Sequence, residues 1–184
     1  MLNAAEIFCY VILSLGMPNA DFACEHMEAV IEASEKYDLR PEILISLIRV
    51  ESRWNHKATS YAGACGLTQV LPKYTKNPKL SCKQLKNPDT SIKAGAKALN
   101  FWINVYGDGK ERVGLCGYLA GFRCKGENKN NRGYNRYAPK VIKYASLILR
   151  EFNNIHEELE SGKISPDEIR YYECTAPLPE EVED

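Results

Sequence analysis

The chain has 184 residues, 45% of them apolar and 26% charged, which is ordinary globular composition, sufficient for one domain or one domain with a tail, and not that of a disordered chain. Its zero formal net charge hides an asymmetry: residues 36–150 carry 22 Lys and Arg against 7 Asp and Glu, residues 1–35 carry no base, and residues 151–184 carry 11 acids against 2 bases. A basic centre suits nucleic acid, an anionic membrane surface or an acidic polysaccharide, and charge alone does not choose among them.

The N-terminus opens with an apolar run from Ile7 to Leu15 followed by Gly16-Met17-Pro18-Asn19-Ala20. Residues 1–20 are therefore expected to be a signal peptide or signal-anchor-like segment, with a buried first helix as the alternative. The run falls short of the ~20 residues that span a bilayer. Its flank is atypical, because it holds Glu6 and no Lys or Arg.

Seven cysteines give a second indication of export. Cys9 lies in the apolar run, and the others, Cys24, Cys65, Cys82, Cys116, Cys124 and Cys174, are even in number, as three disulfides require. The sequence does not fix their connectivity. Proximity favours Cys116 with Cys124, and the remaining expectation is Cys65 with Cys82 across the groove segment and Cys24 with Cys174 joining the ends. No pair has the C-x-x-C spacing of a zinc knuckle or redox site.

A short acidic helix is expected from Cys24 to about Lys36, and Pro41 then opens a helix running to about Arg53. Trp54 to Asn87 reads as loops and turns, with a small hairpin near residues 59–70 as the one place for β-structure. Pro88-Asp89-Thr90 caps a helix in which Ile92, Gly95, Ala96, Leu99 and Ile103 share a face. A short helix over Glu111–Ala120, a loop over Gly121–Gly133 and a long helix from Pro139 follow. Beyond residue 156 the chain turns acidic and reads as a tail, so the domain is expected at residues 24–156 and the tail at 157–184.

Chemistry is signalled by Glu51. Leu44, Leu47, Ile48 and Glu51 follow the i, i+3, i+4, i+7 pattern of one apolar helix face. A carboxyl in apolar surroundings has its pKa raised toward neutrality, where it can donate a proton. The plain alternative is a helix-end glutamate paired with Arg49 or Arg53.

The residues that follow carry a family pattern: Glu51, Ser52, Asn55, Ala58, Ser60, Gly63, Ala64, Gly66, Leu67, Gln69 and Pro72, at fixed spacing. The chain resembles the lytic transglycosylases with a soluble-lytic-transglycosylase (SLT), goose-lysozyme-like domain, over about residues 38–150. Downstream, Pro88 to Gly95 matches a family segment with Ser91 in place of asparagine. Gly117-Tyr118-Leu119-Ala120-Gly121 matches another, with Leu119 where the family has an asparagine that helps hold the sugar. Tyr137 and Val141 match a late segment, and the resemblance implies that the tyrosine hydroxyl reaches the catalytic carboxyl.

The expectation is a mostly α, lysozyme-like (α+β) single domain with helices around a substrate groove. Its partner would be peptidoglycan glycan strands, with no nucleic acid, no cofactor, no metal and no membrane partner beyond an N-terminal anchor, and it would act as an exported monomer. Glu51 is the expected catalytic acid, and Ser60, Gln69, Tyr118 and Tyr137 are the expected substrate-binding residues. His26, His56 and His156 are read as surface residues, and Trp54 and Trp102 as core. No Asp or Glu lies between Glu51 and Asp89, so the acid lacks the neighbouring second carboxylate of most glycoside hydrolases. The rivals are a hydrolytic muramidase using Asp89 or Asp108 and a wall-binding or virion structural protein without turnover.

Overall fold

The computed structural model describes residues 2–124 and 131–175, the last five as backbone. Its first helix, α1 (Ala4–Ser14), starts at a reciprocal cap in which the Asn3 side chain accepts from the Glu6 amide and the Glu6 carboxylate accepts from the Asn3 amide. Ile7, Phe8, Val11 and Ile12 form its buried face and join the main core. The apolar run expected as a signal or anchor thus lies in the fold as an internal helix. Among the described residues no helix is long and apolar enough to cross a membrane.

The acidic stretch expected as one helix is two, α2 (Ala20–Glu25) and α3 (Met27–Lys36), broken at His26. Helix α4 (Pro41–Ser52) starts with proline in its first turn, where the missing N–H removes no helical bond. Ile43, Leu44, Ile45, Leu47 and Ile48 are all buried, so α4 is wrapped by its neighbours on nearly every side. Glu42 is buried with them at 4% exposure, and its charge is paired with Arg40 at 2.8 Å. Arg40 also reaches Glu111 at 3.2 Å, tying the start of α4 to α7 (Glu111–Ala120).

Between α4 and α5 (Cys82–Leu85) the chain makes turns and one 3₁₀ segment, Pro72–Tyr74. Extended pairing among the described residues is confined to isolated bridges, Thr59 with Cys65 and Cys65 with Val70, where a hairpin had been possible. Helix α6 (Pro88–Asn100) is capped by Asn87, whose side chain accepts from the Thr90 amide at 3.0 Å, one residue before the expected cap. It runs on as a π-helical segment, Phe101–Tyr106.

After α7 the loop expected at residues 121–133 begins with a 3₁₀ turn, Gly121–Arg123, and its centre, residues 125–130, lies outside the described residues. A π-helical turn, Gly133–Tyr137, leads into α8 (Ala138–Glu160), which packs along α4, α1 and α7. Residues 157–160 continue α8, and α9 (Pro166–Thr175) lies against α1, with Ile169 buried and Arg170 3.3 Å from Glu6. The tail expected from residue 157 is thus in part a packed helix; its end, 176–184, lies outside the described residues.

Two expected disulfides are formed, Cys65–Cys82 and Cys116–Cys124. The third differs: Cys24 is bonded to Cys9, not Cys174, because α1 stays in the fold and brings Cys9 alongside α2. Counting parity had discarded the partner that the fold uses. Non-reducing peptide mapping is expected to find Cys9 joined to Cys24. Replacing both by serine should cost about 3 kcal/mol and lower the melting temperature by roughly 6–12 °C, by loop-closure entropy and domain size. A Cys24–Cys174 peptide would contradict the position of α1.

Candidate active site

The last turn of α4 presents Glu51, and the chain is then forced sharply aside. Ser52 turns its hydroxyl back to the Ile48 carbonyl at 3.2 Å. Arg53 and Trp54 both adopt left-handed backbone angles, φ 52° and 62°, rare and costly for side chains of this size. Two features hold them there. The Trp54 ring is fully buried in the main core, and Asn19 donates to the Arg53 carbonyl at 2.7 Å across the end of α4. Burying an indole contributes roughly 4–6 kcal/mol at ~25 cal/mol/Å², comparable with the ~2–6 kcal/mol strain of two such residues.

Glu51 itself is half-buried, and the hydroxyl of Tyr137 donates to its Oε1. Burial is the larger influence and pushes the carboxyl up from 4.5 to about 7; the Tyr137 bond, which favours the charged form, pulls the other way. Among the described residues no carboxylate or cation is a named cause of this shift. Burial and the Tyr137 bond are what move the Glu51 carboxyl, and Arg49, one of the two arginines the sequence offers as a partner, lies over the Tyr144 ring at 3.7 Å. Tyr137 is held well above the ordinary phenol range by burial and then by the Glu51 charge, and burial and Glu51 raise Tyr118 in the same way. Both phenols stay protonated, and both lie close enough to sense the carboxylate.

The turn at residues 58–70 forms a wall beside this carboxyl's neighbours. Ser60 accepts from the Ala64 amide at 3.0 Å through its hydroxyl oxygen, which leaves the hydroxyl proton to donate. Gln69 donates its amide nitrogen to the Gly66 carbonyl at 2.8 Å and, longer, to Ala58 at 3.4 Å. Its amide oxygen faces the other way and can accept. Gly66 is required here: with φ at +78°, an added Cβ would lie 1.8 Å from the Leu85 carbonyl oxygen. The Cys65–Cys82 bridge fastens the same turn to α5.

Tyr118 does not point its hydroxyl proton at Glu51. It donates to the Thr68 carbonyl at 2.7 Å. Thr68 is in turn joined to Ser91 on α6 through its amide, at 3.2 Å, and its hydroxyl, which donates to the Ser91 carbonyl at 2.8 Å. These two buried polar residues are absent from the site expected from sequence. Serine in place of a family asparagine was the one sign of them.

Of the residues read as surface, His26 pairs with Asp89 at 3.3 Å, and His56 donates to the Lys86 carbonyl at 3.0 Å while stacking on Phe22. Both are half-buried. Trp54 is core as expected, and Trp102 is half-buried in a ring cluster with Phe101, Tyr106 and Phe122. Leu119 is 48% exposed at the end of α7.

The raised carboxyl has a signature in stability. With a folded pKa of about 7 above its ordinary 4.5, Glu51 contributes stability that is present in acid and lost as pH rises through 7. Glu51→Gln removes that loss. Its melting temperature is expected to exceed the parent's by a few degrees at pH 8 and to approach it at pH 4. A difference that is the same at both pH values would contradict the raised pKa.

Residues 28–140 match the family of the transglycosylase SLT domain. Over 128 residues the chain is 30% identical to the transglycosylase of Enterobacteria phage PRD1, covering 68% of this chain and 45% of that one. Over 96 residues it is 29% identical to the membrane-bound lytic murein transglycosylase C of Haemophilus influenzae, covering 47% of this chain and 27% of that one. An X-ray structure of an inactive mutant of the lytic transglycosylase Slt from Pseudomonas aeruginosa shares the fold, with a TM-score of 0.62 and 23% identity over 72% of this chain and 25% of that one. The chain spans less than half the length of these relatives. A match that takes in α4 with Glu51, the motif turn, α6, α7 and the start of α8 covers the site as well as the scaffold, and the chain belongs to the SLT-type lytic transglycosylase family.

Proposed function

We propose that this chain cleaves the β-1,4 bond between N-acetylmuramic acid and N-acetylglucosamine in peptidoglycan without water, leaving 1,6-anhydro-muramic ends. The observation that carries this is the raised carboxyl of Glu51, which is supported by a phenol and, among the described residues, by no second carboxylate. Near neutrality Glu51 is substantially protonated and gives its proton to the departing glycosidic oxygen through Oε2, the oxygen that Tyr137 leaves unoccupied. The Tyr137 bond then stabilises the carboxylate just formed. That carboxylate takes the proton of the muramic 6-hydroxyl as its oxygen closes on C1, the C1–O bond to the leaving sugar breaks, and Glu51 regains its proton. An internal nucleophile needs no second acid to activate water and reacts at high effective concentration.

Ser60 and Gln69 are placed in this reading as donor and acceptor for sugar hydroxyl and acetamido groups, and Tyr118 and Tyr137 line the bound ring. The names of the phage and murein transglycosylase relatives support the polymer. The muramidase rival is less favoured, since Asp89 is engaged with His26 and neither Asp89 nor Asp108 contributes to the Glu51 shift. The disulfides support action outside the reducing cytoplasm, in the cell envelope, and the reading is of a monomer on glycan strands. The same pairing of Cys9 with Cys24 supports a working enzyme that keeps residues 4–24.

Glu51→Gln is expected to remove activity on purified peptidoglycan by 10³-fold or more, the order expected when general acid catalysis is lost, while the fold is retained. Retained activity within about tenfold would end the assignment. Mass spectrometry of the parent's products should show anhydro ends and no oxygen-18 from labelled water. Reducing ends carrying the label would establish the hydrolytic rival instead.

A further inference from the structure

We infer that Thr68 and Ser91 are positioning residues for the acid: they clamp the motif turn to α6 so that Tyr118 gives its hydroxyl proton to the Thr68 carbonyl and leaves Tyr137 as the donor to Glu51. This rests on Glu51 being the acid of the proposed reaction. Thr68 and Ser91 are both 0% exposed, in a fold whose other buried side chains are nearly all apolar. Three polar contacts join them: the Thr68 amide to Ser91 Oγ at 3.2 Å, Thr68 Oγ1 to the Ser91 carbonyl at 2.8 Å, and the two hydroxyl oxygens at 3.1 Å. Two such polar residues are tolerated in a core because each satisfies the other.

The clamp has no slack. A Cβ on Gly95 of α6 would fall 2.3 Å from the Thr68 side chain, and one on Gly66 would fall 2.7 Å from Ser91 Oγ. Glycines on both partners thus let turn and helix meet at backbone contact. Ser91 stands where the family pattern has asparagine, and its short hydroxyl bonds within this contact. The Thr68 carbonyl is thereby fixed 2.7 Å from the Tyr118 hydroxyl.

A phenol has one proton. Given to Thr68, it cannot also be given to Glu51, although Tyr118 lies within electrostatic reach of that carboxylate. A second hydrogen bond to the carboxylate would favour its charged form and lower its pKa, leaving less acid protonated at neutral pH. Among the described residues the titratable groups coupled to Glu51 are Tyr137, from the turn before α8, and Tyr118, from α7; on α4 Arg49 lies over the Tyr144 ring, and Arg53 follows two residues on at the helix end. Freeing Tyr118 is therefore the route by which a change at Thr68 or Ser91 would reach the acid.

The test is the pH profile of muropeptide release for the parent, Ser91→Ala, Thr68→Val, Thr68→Ser and the double variant Thr68→Val with Tyr118→Phe. The alkaline limb is where Glu51 loses its proton. In Ser91→Ala and Thr68→Val it is expected to move to lower pH by about one unit, the scale of one added hydrogen bond to a carboxylate. Thr68→Ser, which keeps the hydroxyl, should hold the parent limb, and adding Tyr118→Phe should return the Thr68→Val limb toward the parent, since the freed hydroxyl is gone. The limb's position does not depend on how much of a variant folds, and Ser91→Ala, which keeps the Ser91 carbonyl, is the milder probe. Lower activity with an unmoved limb in both single variants would overturn the inference and leave the pair merely structural. An active Glu51→Gln enzyme would overturn the acid assignment itself, a separate failure.

Discussion

The contact between Tyr137 and Glu51 is the interaction on which the rest of the molecule depends. It joins residues 86 apart in the chain, one in the turn before α8 and the other in the last turn of α4. Neither position has meaning without the packing of α8 along α4, and α8 is held there by α1 on one side and α7 on another. The Cys9–Cys24 bridge and the Asn19 cap on Arg53 bring the first residues of the chain to bear on the same helix end. A hydrogen bond to a carboxyl is worth only ~1.5–3 kcal/mol. Holding the two groups in register takes most of the core.

Helix α4 carries two acids with opposite fates. Glu42, at its start, is buried and paired with Arg40, so its charge is compensated and it serves to tie α4 toward α7. Glu51, at its end, is met by a phenol, Tyr137. A neutral donor stabilises a carboxylate less than a guanidinium does, so burial outweighs it and the proton is held to about pH 7. Two acids of one twelve-residue helix thus differ in the group that meets each, a guanidinium at Glu42 and a phenol at Glu51.

The motif residues divide by what they do. Gly66 and Gly95 are steric: a side chain at either would drive the motif turn off α5 or α6. Ser60 and Gln69, the expected sugar-binding groups, each commit part of their hydrogen-bonding capacity to the turn that contains them. A side chain locked by its own backbone presents its remaining donor or acceptor at a fixed point and loses little entropy when a ligand arrives.

The sequence by itself determined the helices with strong apolar period, the turn-rich stretch between them and Glu51 as a carboxyl on an apolar helix face, and proximity favoured the Cys116–Cys124 bridge. Each of these is local: a face repeats every three or four residues, a proline or asparagine marks a start, and a short loop brackets its own cysteines. The end of the acidic segment as a packed helix, the partner of Cys24, the half-buried histidines and the Thr68–Ser91 pair were decided only by tertiary structure. They depend on which distant segments meet. The apolar run at Ile7–Leu15 shows the reason most clearly, because a stretch hydrophobic enough to leave water gives the same local pattern whether it enters a membrane or a core. What separates the outcomes is the complementary surface of α8, α9 and the paired Cys24, more than a hundred residues away in part, and no local pattern encodes that meeting.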